Sequence, residues 1–376
     1  MESKFNICFV SLPAYPVISK DESIKIVGGS EVQQSTLSKA LARKGFKVSI
    51  ITIDHGQQDN VEFEGVQIIK TYKPEQGIIP GLRFIYPRLT SIWQAMKRAN
   101  ADIYYQRGAG QLTWLIAVFC KLYNKKFIYS GASNDDFVKN PSMIKSQTYR
   151  WLYKRGIHMA DRVLVQNPDQ QQLCKQNYER ESTIVKSCYT CEDNASNNPL
   201  GYILWVSTLR QLKRPELLVE IANSLPAYQF KMVGGIDKEE EQLSLDIKQK
   251  TKNIPNFEFI GFVPYFEVHK YFDGARLLVN TSDFEGFPNT FLQAWARAIP
   301  TVSFIDCGVR VNNEPVGIIT ESLNDMSIKI EKLMSDDAYW RNIGMLCKQH
   351  YAENYSTQNV IESYIQIFND TLQTHA

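Results

Sequence analysis

Nowhere in this 376-residue sequence does an apolar run reach the roughly 18 to 20 residues of a membrane-crossing helix. The segment 1–12 enters a strand-like pattern without a signal peptide's layout, so a cytoplasmic chain is expected. Charge of one sign is also lacking. A formal net charge of +2 argues against a dedicated nucleic-acid binder, and any basic surface must be local. The seven cysteines are odd in number and scattered, which suits a compartment where thiols stay reduced. Only Cys188 and Cys191 form a CxxC pair, with no second pair and no histidine set beside it, so no metal is implied. The sequence also lacks a Gly-x-Gly-x-x-Gly after its first strand, which runs instead into Leu12-Pro13-Ala14-Tyr15-Pro16. Hydride chemistry on a nicotinamide is therefore disfavoured.

What is there has globular proportions, with 44% hydrophobic and 22% charged residues, and length enough for two domains. Short apolar runs at 7–12, 47–53, 102–105, 126–129 and 162–165 read as buried parallel strands with helical patterns between them. The helix expected over 30–44 carries Val32, Leu37, Ala40 and Leu41 on one side and stops at Gly45. Around 192–199 the pattern gives way to a polar, turn-prone stretch, the best linker candidate. Alternation then resumes. Strands are expected at 202–206, 229–233, 257–260, 275–280 and 301–304, with helices at 215–224, 239–251, 264–272 and 289–298. A last helix over 357–372 has Val360, Ile361, Tyr364, Ile365 and Phe368 at helical spacing. The fold class is α/β, with two Rossmann-like doubly wound domains, and such sheets take ligands at the carboxyl ends of their strands. Facing strand ends of two such domains leave a cleft that suits a nucleotide carrying a sugar.

Three segments carry chemistry. In Glu285-Gly286-Phe287-Pro288-Asn289-Thr290-Phe291-Leu292-Gln293 an acidic residue precedes a bent turn that opens a helix. The free amides of a helix start suit a diphosphate, and a carboxylate beside them suits sugar hydroxyls. The same residues also fit a plain loop with a proline-started helix. Leu204 to Pro215 ends a strand in three cations, Arg210, Lys213 and Arg214. Arginine grips phosphate oxygens in a fork and lysine acts as a mobile charge, as a departing diphosphate requires; a solvated basic turn is the plainer reading. Val27-Gly28-Gly29-Ser30-Glu31 before the first long helix permits close backbone approach to an anion, or is a flexible entry turn capped by Ser30.

Together these segments resemble the retaining glycosyltransferases of family 4, which have the two-domain GT-B fold. The resemblance covers 27–31, 204–234 and 256–300, and the closing helix matches one that crosses back to the first domain. It implies an acceptor-binding domain over 1–195 with the helix 357–376, and a donor-binding domain over 199–356. Arg210 and Lys213 would hold the donor diphosphate, approached by Gly29, and Glu285 would bind hydroxyls of the transferred sugar. Backbone amides of Phe287, Pro288's neighbour Asn289 and Thr290 would surround sugar and phosphates, with Pro288 shaping the turn. Phe262 would lie near the base. Gln293 stands where the family usually has a second glutamate for the ribose, and can accept from one hydroxyl only by donating to the other. Ser207-Thr208 replaces the usual Gly-Arg, so Arg210 is taken to supply the guanidinium. The loop 130–136 lacks the family's histidine; Asp135 or Asp136 offers a polar role there, or simply caps the following helix. The donor implied is a UDP- or GDP-sugar, with no cofactor and no metal.

On the acceptor side, 82–88 and 149–155 mix cations with aromatics. Arg83, Arg88, Arg150 and Lys154 suit contact with an anionic membrane surface at the inner face of the cytoplasmic membrane, beside a lipid-linked saccharide acceptor. Each stretch fits an ordinary amphipathic helix as well. The reading is a metal-independent hexosyltransferase of surface polysaccharide or glycoconjugate biosynthesis, with no nucleic-acid partner. A non-catalytic GT-B partner subunit and a sugar-nucleotide 2-epimerase on the same architecture are the competitors. The second would want ionisable groups around the sugar, and histidine is scarce near these motifs.

Overall fold

A computed structural model describes residues 5–22, 24, 28–76, 84–191, 201–236 and 240–373. The chain divides into two compact units, Met1–Cys188 with Thr357–Ala376, and Tyr189–Ser356. The linker candidate at 192–199 lies outside the described residues.

In the first unit the strands are β1 (Asn6–Val10), β2 (Lys47–Thr52), β3 (Glu62–Phe63), β4 (Val66–Lys70), β5 (Ile103–Arg107), β6 (Lys126–Ser130), β7 (Arg162–Val165) and β8 (Thr183–Ile184). The helices are α1 (Tyr15–Ser19), α2 (Gly29–Arg43), α3 (Thr90–Ala99), α4 (Leu112–Leu122), α5 (Gln147–Met159) and α6 (Pro168–Tyr178). The sheet order is β3-β4-β2-β1-β5-β6-β7-β8, parallel except for the β3–β4 hairpin. Period-2 alternation covers both faces: Cys8 and Val10 enter one core, Ile7 and Phe9 the other. α2 starts where Gly28 is extended and stops where Gly45 takes φ +82, which a side chain would resist.

The second unit holds β9 (Tyr202–Val206), β10 (Phe230–Val233), β11 (Phe257–Gly261), β12 (Ala275–Asn280), β13 (Thr301–Ser303), β14 (Arg310–Val311), β15 (Glu314–Pro315) and β16 (Ile318–Ile319). Its helices are α7 (Pro215–Ser224), α8 (Glu241–Thr251), α9 (His269–Asp273), α10 (Asn289–Trp295), α11 (Leu323–Ser335) and α12 (Asp337–Asn354). The main sheet runs β11-β10-β9-β12-β13-β16, all parallel, with β14–β15 a separate hairpin. In β9, Ile203 and Trp205 face one core while Tyr202 and Leu204 face the other. The closing helix α13 (Thr357–Gln373) belongs to the first unit, where Val360, Ile361, Tyr364 and Phe368 join the core built on β1 and α2. Each such apolar side chain contributes about 1.5–3 kcal/mol, an upper figure because the unfolded chain is itself partly compact.

Three expectations need correction. The helix over 264–272 is real only at His269–Asp273, because the Pro264 carbonyl takes the amides of both Glu267 and Val268 and closes tight turns first. The helix over 289–298 stops at Trp295, and the chain reverses at Ala298, an alanine held at φ +56 without a glycine to announce it. The β3–β4 hairpin was not foreseen. It turns at Glu64-Gly65, both at positive φ, inside a segment too polar to read as strand.

Candidate functional site

A doubly wound sheet parts its loops where strand order reverses, and in the second unit that point lies between β9 and β12. Beyond β9 the Leu209 amide donates to the Gly235 carbonyl at 2.9 Å, and the basic segment then closes one tight turn, Lys213 N to Arg210 O at 2.9 Å. Beyond β12, the Thr281 hydroxyl donates to the Lys213 carbonyl at 2.7 Å while accepting from Trp205 Nε1 at 2.9 Å. The Asp283 amide adds a bond to the Leu212 carbonyl at 3.0 Å. These stitches fix the two loops to each other and bring Lys213 Nζ to 2.6 Å from Glu285 Oε1. The two side chains are 18% and 15% exposed. Ser282 Oγ at 2.8 Å and Asn280 Nδ2 at 3.3 Å also donate to Oε1. Oε2 accepts no hydrogen bond from the described residues. Arg214 is spent differently, bridging Glu216 at 2.6 Å and Asp283 at 3.1 Å. Arg210 heads the turn with an extended backbone.

Around this centre, Phe287 stacks on Tyr355 with ring centroids 4.9 Å apart and meets Trp295 edge-on. Pro288 precedes α10, whose first residues are Asn289 and Thr290, both half-buried. Gln293 is buried on the same helix, its carbonyl taken by Arg297 at 3.1 Å. Phe262 packs on Gly235 so closely that a Cβ there would stand 2.8 Å from its ring, and one on Gly234 would stand 2.0 Å from the Ser207 carbonyl oxygen. Cys307 feels the Glu285 carboxylate, and burial with that charge pushes its thiol up.

In the first unit, Gly28 precedes α2 and Gly29 opens it. The Ser30 hydroxyl donates to the Arg107 carbonyl at 3.1 Å, and Gln34 reaches Ser11 Oγ at 2.9 Å. Asp136 is buried and accepts from the Ala132 and Ser133 amides at 2.6 and 3.2 Å, closing a capping box with Ser133. Burial pushes its carboxyl up against the pull of those amides. Asp135 accepts from the amide and hydroxyl of Ser142, each at 2.8 Å. Arg150 donates to the Ile144 carbonyl at 2.7 Å, and Arg88 lies over the Tyr72 ring. Lys154 is exposed beside Trp151, which is 57% exposed with Arg155 over its ring. Arg83 lies outside the described residues.

Residues 192–348 match the family model "Glycosyl transferases group 1", and residues 27–185 match "Glycosyltransferase Family 4". The chain belongs to glycosyltransferase family 4. Over 165 residues this family 4 chain is 29% identical to the O-antigen biosynthesis glycosyltransferase WbnH of Escherichia coli, covering 43% of this chain and 46% of the relative. The match thus spans about half the length of that curated relative. Among solved structures, sucrose-phosphate synthase from Thermosynechococcus elongatus superposes with a TM-score of 0.77 at 17% identity, covering 98% of this chain and 99% of the other. The pneumococcal O-GlcNAc transferase GtfA, in complex with UDP and GlcNAc, gives 0.71 at 12% identity over 99% and 100%. The fold is GT-B.

The family 4 motifs pointed to Glu285 and Lys213 but not to what steadies them. Asn280, Thr281 and Ser282 escaped the sequence reading, although an apolar strand running into Asn-Thr-Ser-Asp ahead of an acidic turn is a visible signal. Arg107 escaped it too, since the strand was read only to Tyr105. Among the described residues no cluster of three or more His, Cys, Asp or Glu could hold a metal ion, and no helix is long and apolar enough to cross a membrane.

Proposed function

We propose that this chain is a retaining glycosyltransferase that moves a hexose from a nucleoside diphosphate sugar to a saccharide acceptor, without a metal. The observation that carries the reading is the 2.6 Å contact of Lys213 with Glu285 at the switch point of the second sheet, in a family 4 chain. Lys213, with Arg210, neutralises the diphosphate as the glycosidic bond breaks and negative charge gathers on the leaving oxygen. Glu285 accepts from a hydroxyl of the transferred sugar through Oε2, and the amides at Phe287, Asn289 and Thr290 flank sugar and phosphate. Phe262 borders the base, and Gln293 exchanges one hydrogen bond in each direction with the ribose hydroxyls. On one face of the sugar, the bond from the anomeric carbon to the phosphate oxygen breaks as the bond to the acceptor oxygen forms. The acceptor's proton passes to the departing phosphate, so no protein base is needed. Orientation and charge then carry the acceleration.

The O-antigen role in the name of the WbnH relative supports an acceptor from surface polysaccharide assembly, and UDP in the GtfA structure supports a uridine donor. Exposed Trp151 with Lys154 and Arg155 fits the surface of an anionic membrane that carries a lipid-linked acceptor. A thermal-shift screen with UDP, GDP and ADP should raise the melting temperature for one base above the others by mass action. Donor turnover should then be lost in Glu285→Ala and in Lys213→Ala; turnover that survives both replacements sinks the proposal.

A further inference from the structure

The first sheet also reverses its strand order, between β1 and β5, and the last residue of β5 is Arg107. Its side chain is 92% buried, yet no carboxylate bridges it among the described residues: Nη1 donates to Ser130 Oγ at 3.3 Å and Nη2 to Ser187 Oγ at 3.5 Å. Both contacts are long for bonds from a cation. Nε is buried with no partner. Ser187 Oγ also accepts from Gln166 Nε2 at 2.6 Å, so its oxygen has two donors about it. The Ser130 hydroxyl receives the guanidinium and donates to no acceptor among the described residues. The buried carboxylate that acts electrostatically on this group, Asp136, is already engaged by the amides of Ala132, Ser133 and Ala109. Arg107 Nε and the Ser130 hydroxyl thus sit at a strand end with no acceptor among the described residues. A buried cation without a bridging anion is costly, and buried donors without partners add to the cost.

We propose that Arg107, Ser130 and Ser187 form a subsite for an oxyanion, a phosphate or a carboxylate carried by the acceptor saccharide. The guanidinium fork takes two oxygens of the anion while the serine hydroxyls turn their protons onto it. That the anion arrives on an acceptor rests on the glycosyltransferase reading above. The presence of the subsite does not.

The test uses the full chain carrying Arg210→Ala and Lys213→Ala, so that phosphate held by those two cations of the second unit does not contribute. Inorganic phosphate, glucuronate and neutral glucose are titrated by calorimetry, with melting temperatures recorded alongside. Phosphate or glucuronate, but not glucose, is expected to bind and to raise the melting temperature. The stronger of the two tells whether the acceptor carries a phosphate or a uronate. Adding Ser130→Ala with Ser187→Ala keeps the charge and should weaken binding about 100-fold, since each hydrogen bond to a charged group is worth roughly tenfold. Circular dichroism verifies that the variant is folded; if it is not, Arg107→Lys in the same background replaces it, keeping the charge but not the fork. Absence of binding by both anions, or equal affinity after these replacements, overturns the subsite. UDP binding is measured separately on the unmutated chain, so a failed donor reading and a failed anion subsite leave different signatures.

Discussion

At the reversal point of the second sheet Lys213, Ser282 and Asn280 converge on one oxygen of Glu285, and the loops behind them are stitched by backbone. At the reversal point of the first sheet Arg107 reaches only two serine hydroxyls by long bonds, and its Nε has no partner among the described residues. Nine buried side-chain polar atoms of the first unit, Arg107 Nε among them, have no hydrogen-bond partner among the described residues. One architecture thus prepares its strand ends in two ways. The second unit holds its cation in place with an internal counter-ion, which the diphosphate of the proposed donor would share or displace. The first leaves a cation buried and underused, which favours a ligand that brings its own negative charge.

The largest effect tests the self-satisfied end. Removing the Lys213 ammonium leaves Glu285 still held by Ser282 and Asn280, so the carboxylate stays in place while the charge for the leaving group is gone. Lys213→Ala is therefore expected to cut donor turnover by about 10²–10³-fold with little change in melting temperature. Turnover within a few-fold of the parent would mean the pair only braces the loops. Next in size is a contrast of glycines. A Cβ on Gly234 meets the backbone oxygen of Ser207 at 2.0 Å, which cannot move without the strand, so Gly234→Ala should cost about 1–3 kcal/mol. A Cβ on Gly28 meets only the tip of the Glu31 side chain, at 2.2 Å. That tip can swing away, and Gly28→Ala at the head of α2 should cost about 0.5–1 kcal/mol. Urea midpoints compare the two, and equal losses would erase the distinction.

The difference between the two ends also marks how far the sequence could be read. Strands such as Tyr202–Val206 and Arg162–Val165 were legible because apolar residues fill both faces, and α7 because Pro215 fixes its start. Glu285 and Lys213 were legible as motifs, but their contact is 72 residues apart in sequence and depends on Thr281 reaching the Lys213 carbonyl. Nothing local encodes that. Arg107 was invisible because a cation at the end of an apolar strand usually points to solvent, and only the packed sheet shows it buried. The early stop at Trp295 and the reversal at Ala298 were missed because tertiary packing, with the Ala298 carbonyl so close to Gly344 that a Cβ there would stand 2.2 Å away, selects a left-handed alanine that propensity does not foresee.

A smaller effect separates positioning from charge at the second sheet's end. Ser282→Ala removes one of three bonds to Glu285 Oε1, worth about 0.5–1.5 kcal/mol net. If the hydroxyl aims the carboxylate at the reacting sugar, kcat should fall by about 3–10-fold with the donor KM nearly unchanged. A rise in KM alone would show that it merely helps hold the donor.

The smallest effect is expected where the first unit does pair its charges. Lys44, just past α2, meets Glu362 of α13 at 2.5 Å, but the side chains are 48% and 61% exposed, so water and salt screen the attraction and ordering two long side chains offsets much of it. α13 is held instead by Val360, Ile361, Tyr364 and Phe368, which are insensitive to ionic strength. Glu362→Gln should therefore shift stability by less than about 0.5 kcal/mol, and the shift should vanish as salt is raised. A larger loss that persists in high salt would mean that α13 docks by charge, and that the first unit satisfies its ions at the surface as thoroughly as the second does at its strand ends.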